Sequence, residues 1–300
     1  MRKLTHLAVA GLMVGLASCL TPAKTAKPVR FTAMGCGPYT REAEEDLRRF
    51  IRLDNELGTS AFMIHCGDIV TGRNKEWPES QYEKVADILA RGNRIPTFVV
   101  PGDNEWNDQA DPDRGWRLWT KHYLMFDAKW TPPAKVIRQT SRKENFAFVR
   151  DQVLFIGINK VGGRVHDPDE WATRHGDNGE WVSENLSKYR NQVHSAAIFA
   201  QAKAGQGNAK GDRNDFADLL KPAAEAFGKP LLYLHADGHK WYVIEQEWAT
   251  NITHVQLDLI SSNFPPVQVT VTGDPRRPFV FDRRQNNALW GTAQSVVETR

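Results

Sequence analysis

Cysteine is scarce in this sequence, with only Cys19, Cys36 and Cys66 among 300 residues. That excludes a small scaffold held together by a dense disulfide framework. A dominant charge is missing too: 39 Lys and Arg stand against 36 Asp and Glu, a formal net charge of +3. Without a concentrated basic patch there is no electrostatic footprint for nucleic acid. Long hydrophobic runs are absent apart from Leu7 to Ala17. A bilayer-spanning helix needs about 20 apolar residues, so a multi-span membrane protein is excluded. Neither a Gly-x-Ser-x-Gly elbow nor a phosphate-cradling P-loop occurs, which removes support for serine hydrolases and P-loop nucleotidases. What is plentiful is aromatic surface. Ten Trp and fourteen Phe are too much apolar area to leave in water, so the chain folds around a core.

Residues 1–19 read as an address. Arg2 and Lys3 precede the apolar run, which ends in Leu16-Ala17-Ser18-Cys19, the layout of a secretory signal. Removing Arg2 and Lys3 leaves 37 basic residues against 36 acids. The Leu-Ala-Ser-Cys ending resembles the bacterial lipobox, in which the cysteine, here Cys19, is acylated and becomes the mature N-terminus. A plain signal peptide with an incidental Cys19 is the other reading. Leu20 after that cysteine resembles sorting to the outer membrane. Residues 20–29, polar with Pro22 and Pro28, read as a tether. The expected location is the bacterial cell envelope, lipid-anchored and facing the periplasm or surface, with membrane contact only through the anchor. That compartment is oxidising, so a disulfide between Cys36 and Cys66 is one expected state, beside free thiols and a metal-bound Cys36.

Beyond residue 29, apolar strands alternate with amphipathic helices. Strands fall at 29–36, 60–66 and 95–100, separated by helices at 41–57 and 79–90. Later strands fall at 153–159, 196–201 and 230–234, with helices at 180–193 and 215–227. This order is that of a parallel sheet with crossover helices. After Asp237 come strands at 240–245, 254–260, 267–272 and 279–281 with little helix between, which predicts an antiparallel run closing a second sheet. The polar segment 166–181 reads as a long loop. No linker interrupts residues 30–282, so they form one domain, followed by a tail at 283–300.

Polar clusters close those strands: Gly35-Cys36-Gly37-Pro38-Tyr39, His65-Cys66-Gly67-Asp68, Pro101-Gly102-Asp103-Asn104-Glu105-Trp106, Ala200-Gln201 and His235-Ala236-Asp237-Gly238-His239. In open α/β sheets ligands bind at such carboxyl ends, and convergence from several strands is what a metal or catalytic centre requires. In order and spacing the clusters resemble the calcineurin-like metallophosphoesterases, whose blocks run Asp-x-His, Gly-Asp-x-x, Gly-Asn-His-Asp/Glu, a lone His, then Gly-His-x-His. The resemblance covers residues 30–282. Pro38-Tyr39 and Gly102 to Trp106 are similar to a bacterial branch whose third block reads Gly-Asp-Asn-Glu-Trp. It implies a four-layer α/β/β/α sandwich with two mixed sheets. The site would hold divalent ions that activate a water to attack phosphorus.

Carried over residue by residue, the resemblance makes Asp68 the bridging carboxylate. Cys36 falls on the family's first Asp, Pro38 on its first His, Asp103 on its Asn ligand and Asn104 on its catalytic His. Gln201 falls on the lone His, Asp237 on the first His of the last block and His239 on the second. The second-metal position is then Asp68, Asp103, Gln201 and Asp237, all oxygen, which suits Mg²⁺, Mn²⁺ or Ca²⁺. Cys36, Asp68 and His239 would suit zinc. Asn104 can bond a phosphoryl oxygen but cannot give up a proton as an imidazolium does; the adjacent Glu105 is the candidate substitute, or equally a residue that only orients a ligand or caps the following helix. His65 is expected to be packed away from the site, and His235 is a lesser candidate. The expected function is hydrolysis of a small phosphate mono- or diester. The alternative is an impaired relative that binds a metal, ligand or protein partner without hydrolysis.

Overall fold

The computed structural model of the protein describes residues 26–131, 134–205, 216–285 and 289–290. The signal segment, Cys19 and the tether as far as Thr25 lie outside the described residues, as do residues 291–300. In chain order the elements are β1 (Val29–Met34), α1 (Arg41–Leu57), β2 (Met63–His65), α2 (Glu79–Ala90), β3 (Thr97–Val99), α3 (Pro112–Tyr123), β4 (Ile137–Arg138), β5 (Phe146–Arg150) and β6 (Val153–Gly157). Then follow α4 (Pro168–Tyr189), β7 (Ser195–Phe199), α5 (Phe216–Phe227), β8 (Leu231–His235), β9 (Tyr242–Glu245), β10 (Ile252–Gln256), β11 (Val267–Val271) and β12 (Phe279–Asp282).

They form two mixed sheets, one ordered β12-β11-β1-β2-β3 and the other β4-β5-β6-β7-β8-β10-β9. The inner layer between the sheets is aromatic. Phe31 and Phe62 stack at 5.0 Å, and Phe98, Phe148, Phe155 and Phe199 close around them, all buried. Residues of α1, α2 and α3 cover the outside of the first sheet, and α4 and α5 cover the second. The result is the expected four-layer α/β/β/α sandwich. Phe62 touches five other phenylalanine rings, so Phe62→Ala should lower unfolding free energy by about 3–5 kcal/mol. Chemical denaturation should show this as a lower midpoint at unchanged slope.

Local chemistry sets the helix ends. Thr40 caps α1 by accepting from Ala43 N, and Gly58 ends it in the left-handed region at φ 58°. Asp167 caps α4 by accepting from Asp169 N and Glu170 N, with Pro168 at the first helical position. The segment 166–181 is therefore not a loop: from Pro168 onward it is the larger part of a 22-residue helix. The strands after Asp237 do not form one antiparallel run. β10 joins β8 in parallel while β11 and β12 cross to the first sheet, so that Val255 of β10 and Val267, Val269 and Val271 of β11 enter the shared inner core from opposite sheets. The tail is also anchored: Arg284 is buried, pairs with Asp54 at 2.7 Å and lies over Trp290, which packs on Phe50. Among the described residues no helix is long and apolar enough to cross a membrane.

Candidate metal centre

The parallel pairing of β1, β2 and β3 sets the loops after these strands side by side at one edge. The loops after β2 and β3 touch through glycines. A Cβ on Gly67, whose φ is +77°, would lie 2.6 Å from Gly102 N, so the backbones meet only because neither residue has a side chain. This contact brings Asp68 against the single π-helical turn Asp103–Asn107. The loops after β7 and β8 add Gln201, Asp237 and His239 from the second sheet.

Two sets of donors result, and they share Asp68. Cys36, Asp68 and His239 form one; Asp68, Asp103 and Asp237 form the other. Within each set the ligand atoms lie within 4.8 Å of one another. The first set is held in costly backbone geometry: Cys36, Asp68 and His239 have φ of 53°, 61° and 63°. Left-handed conformations at non-glycine residues cost on the order of 1–3 kcal/mol each and concentrate at functional sites.

The hydrogen bonds are specific. Asp68 Oδ1 accepts from Asn104 N at 3.3 Å, and Oδ2 accepts from Gln201 Nε2 at 3.1 Å and from the Cys36 thiol at 3.5 Å. Gln201 Nε2 also donates to Asp237 Oδ1 at 3.1 Å, while Gln201 Oε1 accepts from Gly162 N at 2.7 Å. Burial, then the charges of Glu105 and Asp237, pushes the Asp68 carboxyl up to about 7. Burial and the charges of Asp68 and Asp237 push Asp103 up as well. The Cys36 thiol is raised by burial and then by the same two carboxylates. Buried carboxylates at this spacing repel, and a divalent cation is what allows them to ionise together. The donors therefore fit a divalent ion: thiolate, imidazole and carboxylate on one side, oxygen alone on the other.

Several expectations change. Cys36 and Cys66 are both free and buried, not joined. The β1–β2 register, which pairs Met34 with His65, sets Cys66 one step out from Cys36, and the Cys36 sulfur turns to Asp68 instead. Gln201 faces the carboxylates with its NH₂ group, so it acts there as a donor rather than an oxygen ligand. Glu105 is fully buried, and its Oε1 accepts from Asp68 N at 3.1 Å and from Gly102 N. It ties the loops after β2 and β3 together, the orienting and capping role that the sequence also allowed, and burial raises it to about 8. Glu105→Gln keeps that acceptor and should cost less than about 1 kcal/mol. Glu105→Ala leaves two buried N–H groups unpaired at about 1–3 kcal/mol each, readable in thermal melts and in lost metal retention. The side-chain amide of Asn104 lies against Gly72. His65 is packed away as expected, bonded to Gly37 O at 2.8 Å and held down to about 4 by burial. His235 bonds Tyr242 and stacks on His254, outside both donor sets. Gly162 was not a candidate; the Gly-Gly pair after β6 is its only trace in the sequence.

No family model and no curated protein matches the chain. Solved structures do. A dimetal phosphatase from Danio rerio is 10% identical, with 86% of this chain and 98% of that one covered at a TM-score of 0.53. The anchor in the inner membrane complex of Plasmodium is 13% identical, with 85% and 88% covered at a TM-score of 0.51. The fold is that of the metallophosphoesterases. At such identities the likeness extends to the fold and no further, which leaves activity to be argued from the site.

Proposed function

We propose that this protein is a divalent-metal-dependent phosphoesterase that cleaves a small phosphate mono- or diester. The observation that supports this best is Asp68 standing in both donor sets, as a carboxylate shared between metal positions does. The Gly-Asp-Asn-Glu-Trp block further suggests the bacterial branch of the superfamily, and the N-terminal sequence suggests a lipid-anchored envelope protein. A bound ion would supply Lewis-acid polarisation of the phosphoryl group and a nucleophile available at neutral pH. The chain's own residues do the rest. Asn104 N and Gln201 Nε2 hold both oxygens of Asp68 in place, and Glu105 fixes the Asp68 backbone.

Neither Asn104 nor the buried Glu105 can protonate a departing alcohol. Rates should therefore fall steeply as the leaving group becomes more basic, with aryl esters cleaved far faster than alkyl esters. The test is hydrolysis of p-nitrophenyl phosphate and bis(p-nitrophenyl) phosphate by the purified chain with Mn²⁺, Mg²⁺, Ca²⁺ or Zn²⁺ added. Turnover that needs metal and Asp68 supports the proposal. No turnover with any ion, by protein that retains metal, would show a binding protein on a phosphoesterase fold.

A further inference from the structure

How many ions the site holds depends on Gln201, which is completely buried at the meeting point of the two sheets. Its amide cannot turn round. Gly162 N–H at 2.7 Å requires an acceptor, and reversing the amide would set NH₂ against N–H, a buried donor facing a donor. With Oε1 fixed there, Nε2 must point between Asp68 Oδ2 and Asp237 Oδ1, 3.1 Å from each. Those carboxylates are two of the three donors in the all-oxygen set.

We infer that the chain holds a single divalent cation, between Cys36, Asp68 and His239, and that the Gln201 amide stands in for a second by donating to Asp68 and Asp237. This rests on the metal-dependent reading above. A cation binding Asp68 and Asp237 would meet the positive end of the amide dipole and compete with it for the same lone pairs. The other set shares Asp68 with the amide, but its two remaining donors, the Cys36 sulfur and the His239 imidazole, make no hydrogen bond to Gln201. Its three donors are also the ones held in left-handed backbone, whereas Asp103 and Asp237 are not. Cys36 and Asp68 are buried while His239 is exposed. The set therefore opens towards solvent, and three ligands with one accessible position is the arrangement of a catalytic zinc site.

The test is elemental analysis of the purified chain loaded with Zn²⁺ or Mn²⁺ and desalted, alongside Gln201→Glu, Gln201→His and Cys36→Ala. The wild type should retain close to one equivalent. Gln201→Glu replaces the donor with a carboxylate oxygen, and Gln201→His can turn an unprotonated ring nitrogen to the ion once it lets go of Gly162 N; both should retain close to two, with melting curves showing that they are folded. Cobalt(II) in the wild type should give a thiolate-to-cobalt charge-transfer band that Cys36→Ala loses, with at least tenfold weaker retention. Two equivalents in the wild type would overturn the single-ion assignment and leave the phosphoesterase proposal standing; none would overturn both. A wild-type equivalent that is indifferent to Cys36→Ala would overturn the assignment, as would folded Gln201 variants still at one. If neither Gln201 variant folds, the wild-type stoichiometry and the cobalt band decide.

Discussion

Asp68→Asn is expected to strip the protein of retained metal and to slow ester hydrolysis by more than about 100-fold. Removing a residue that merely supports a metal ligand typically costs 10–100-fold. Asp68 is the one donor common to both sets, so its loss must exceed that range. The measurement is kcat/KM for an aryl phosphate beside metal content on the same preparation. The substitution is nearly isosteric, and the loops that carry Asp68 are held by backbone contacts independent of its charge, namely Cys36 N to Gly67 O at 3.0 Å and Gly37 N to Asp68 O at 2.7 Å. Folding should survive, which separates loss of chemistry from loss of structure. Hydrolysis within tenfold of wild type would mean that Asp68 is structural and that the reacting ester binds elsewhere.

Much of this site was legible because a parallel sheet collects its strand ends on one edge. Asp68, Asp103, Asp237 and His239 each follow an apolar run, and the fold had only to bring those runs together. For Glu105 the sequence left two roles open, a substitute acid beside Asn104 or a residue that orients a ligand or caps the following helix. Only the tertiary contact between the loops after β2 and β3 shows that its carboxylate is occupied by Asp68 N and Gly102 N. The direction of the Gln201 amide was equally hidden, since it depends on Gly162, a residue 39 positions away. In α4, Gly176 and Gly179 sit among polar residues and lower the apparent helix propensity. A Cβ at Gly179 would lie 2.6 Å from Leu219, so this glycine lets α4 approach α5 closely. Tertiary packing overrode a local signal there. The capping pair Asp167-Pro168 had marked the helix start all along.

The same carboxylates predict how the metal-free protein responds to pH. A buried acid whose folded pKa is raised stabilises the fold most while it is protonated, and that contribution is lost as pH rises through the folded value. Asp68 is pushed to about 7 and Glu105 to about 8 from ordinary values near 4, so the metal-free protein should lose stability steadily between about pH 4 and pH 8. For Asp68 alone the loss is on the order of 4 kcal/mol. Melting temperatures in the presence of a chelator should fall across that window, and adding metal should flatten the slope, because the ion stabilises the ionised carboxylates that burial penalises. Asp68→Asn sharpens the test. Near pH 5 the wild-type carboxyl is protonated, so the variant only exchanges one neutral group for another. It sets an NH₂ against Gln201 Nε2 or Asn104 N, at a cost of about 1–3 kcal/mol. At pH 8 and above it also removes a buried charge, and that gain outweighs the mismatch. The substitution that abolishes hydrolysis should therefore destabilise the metal-free protein in acid and stabilise it in alkali. A difference of constant sign from pH 5 to pH 9 would mean that Asp68 keeps an ordinary carboxylate pKa in the fold, and that the buried like charges are compensated by the Gln201 amide and backbone alone.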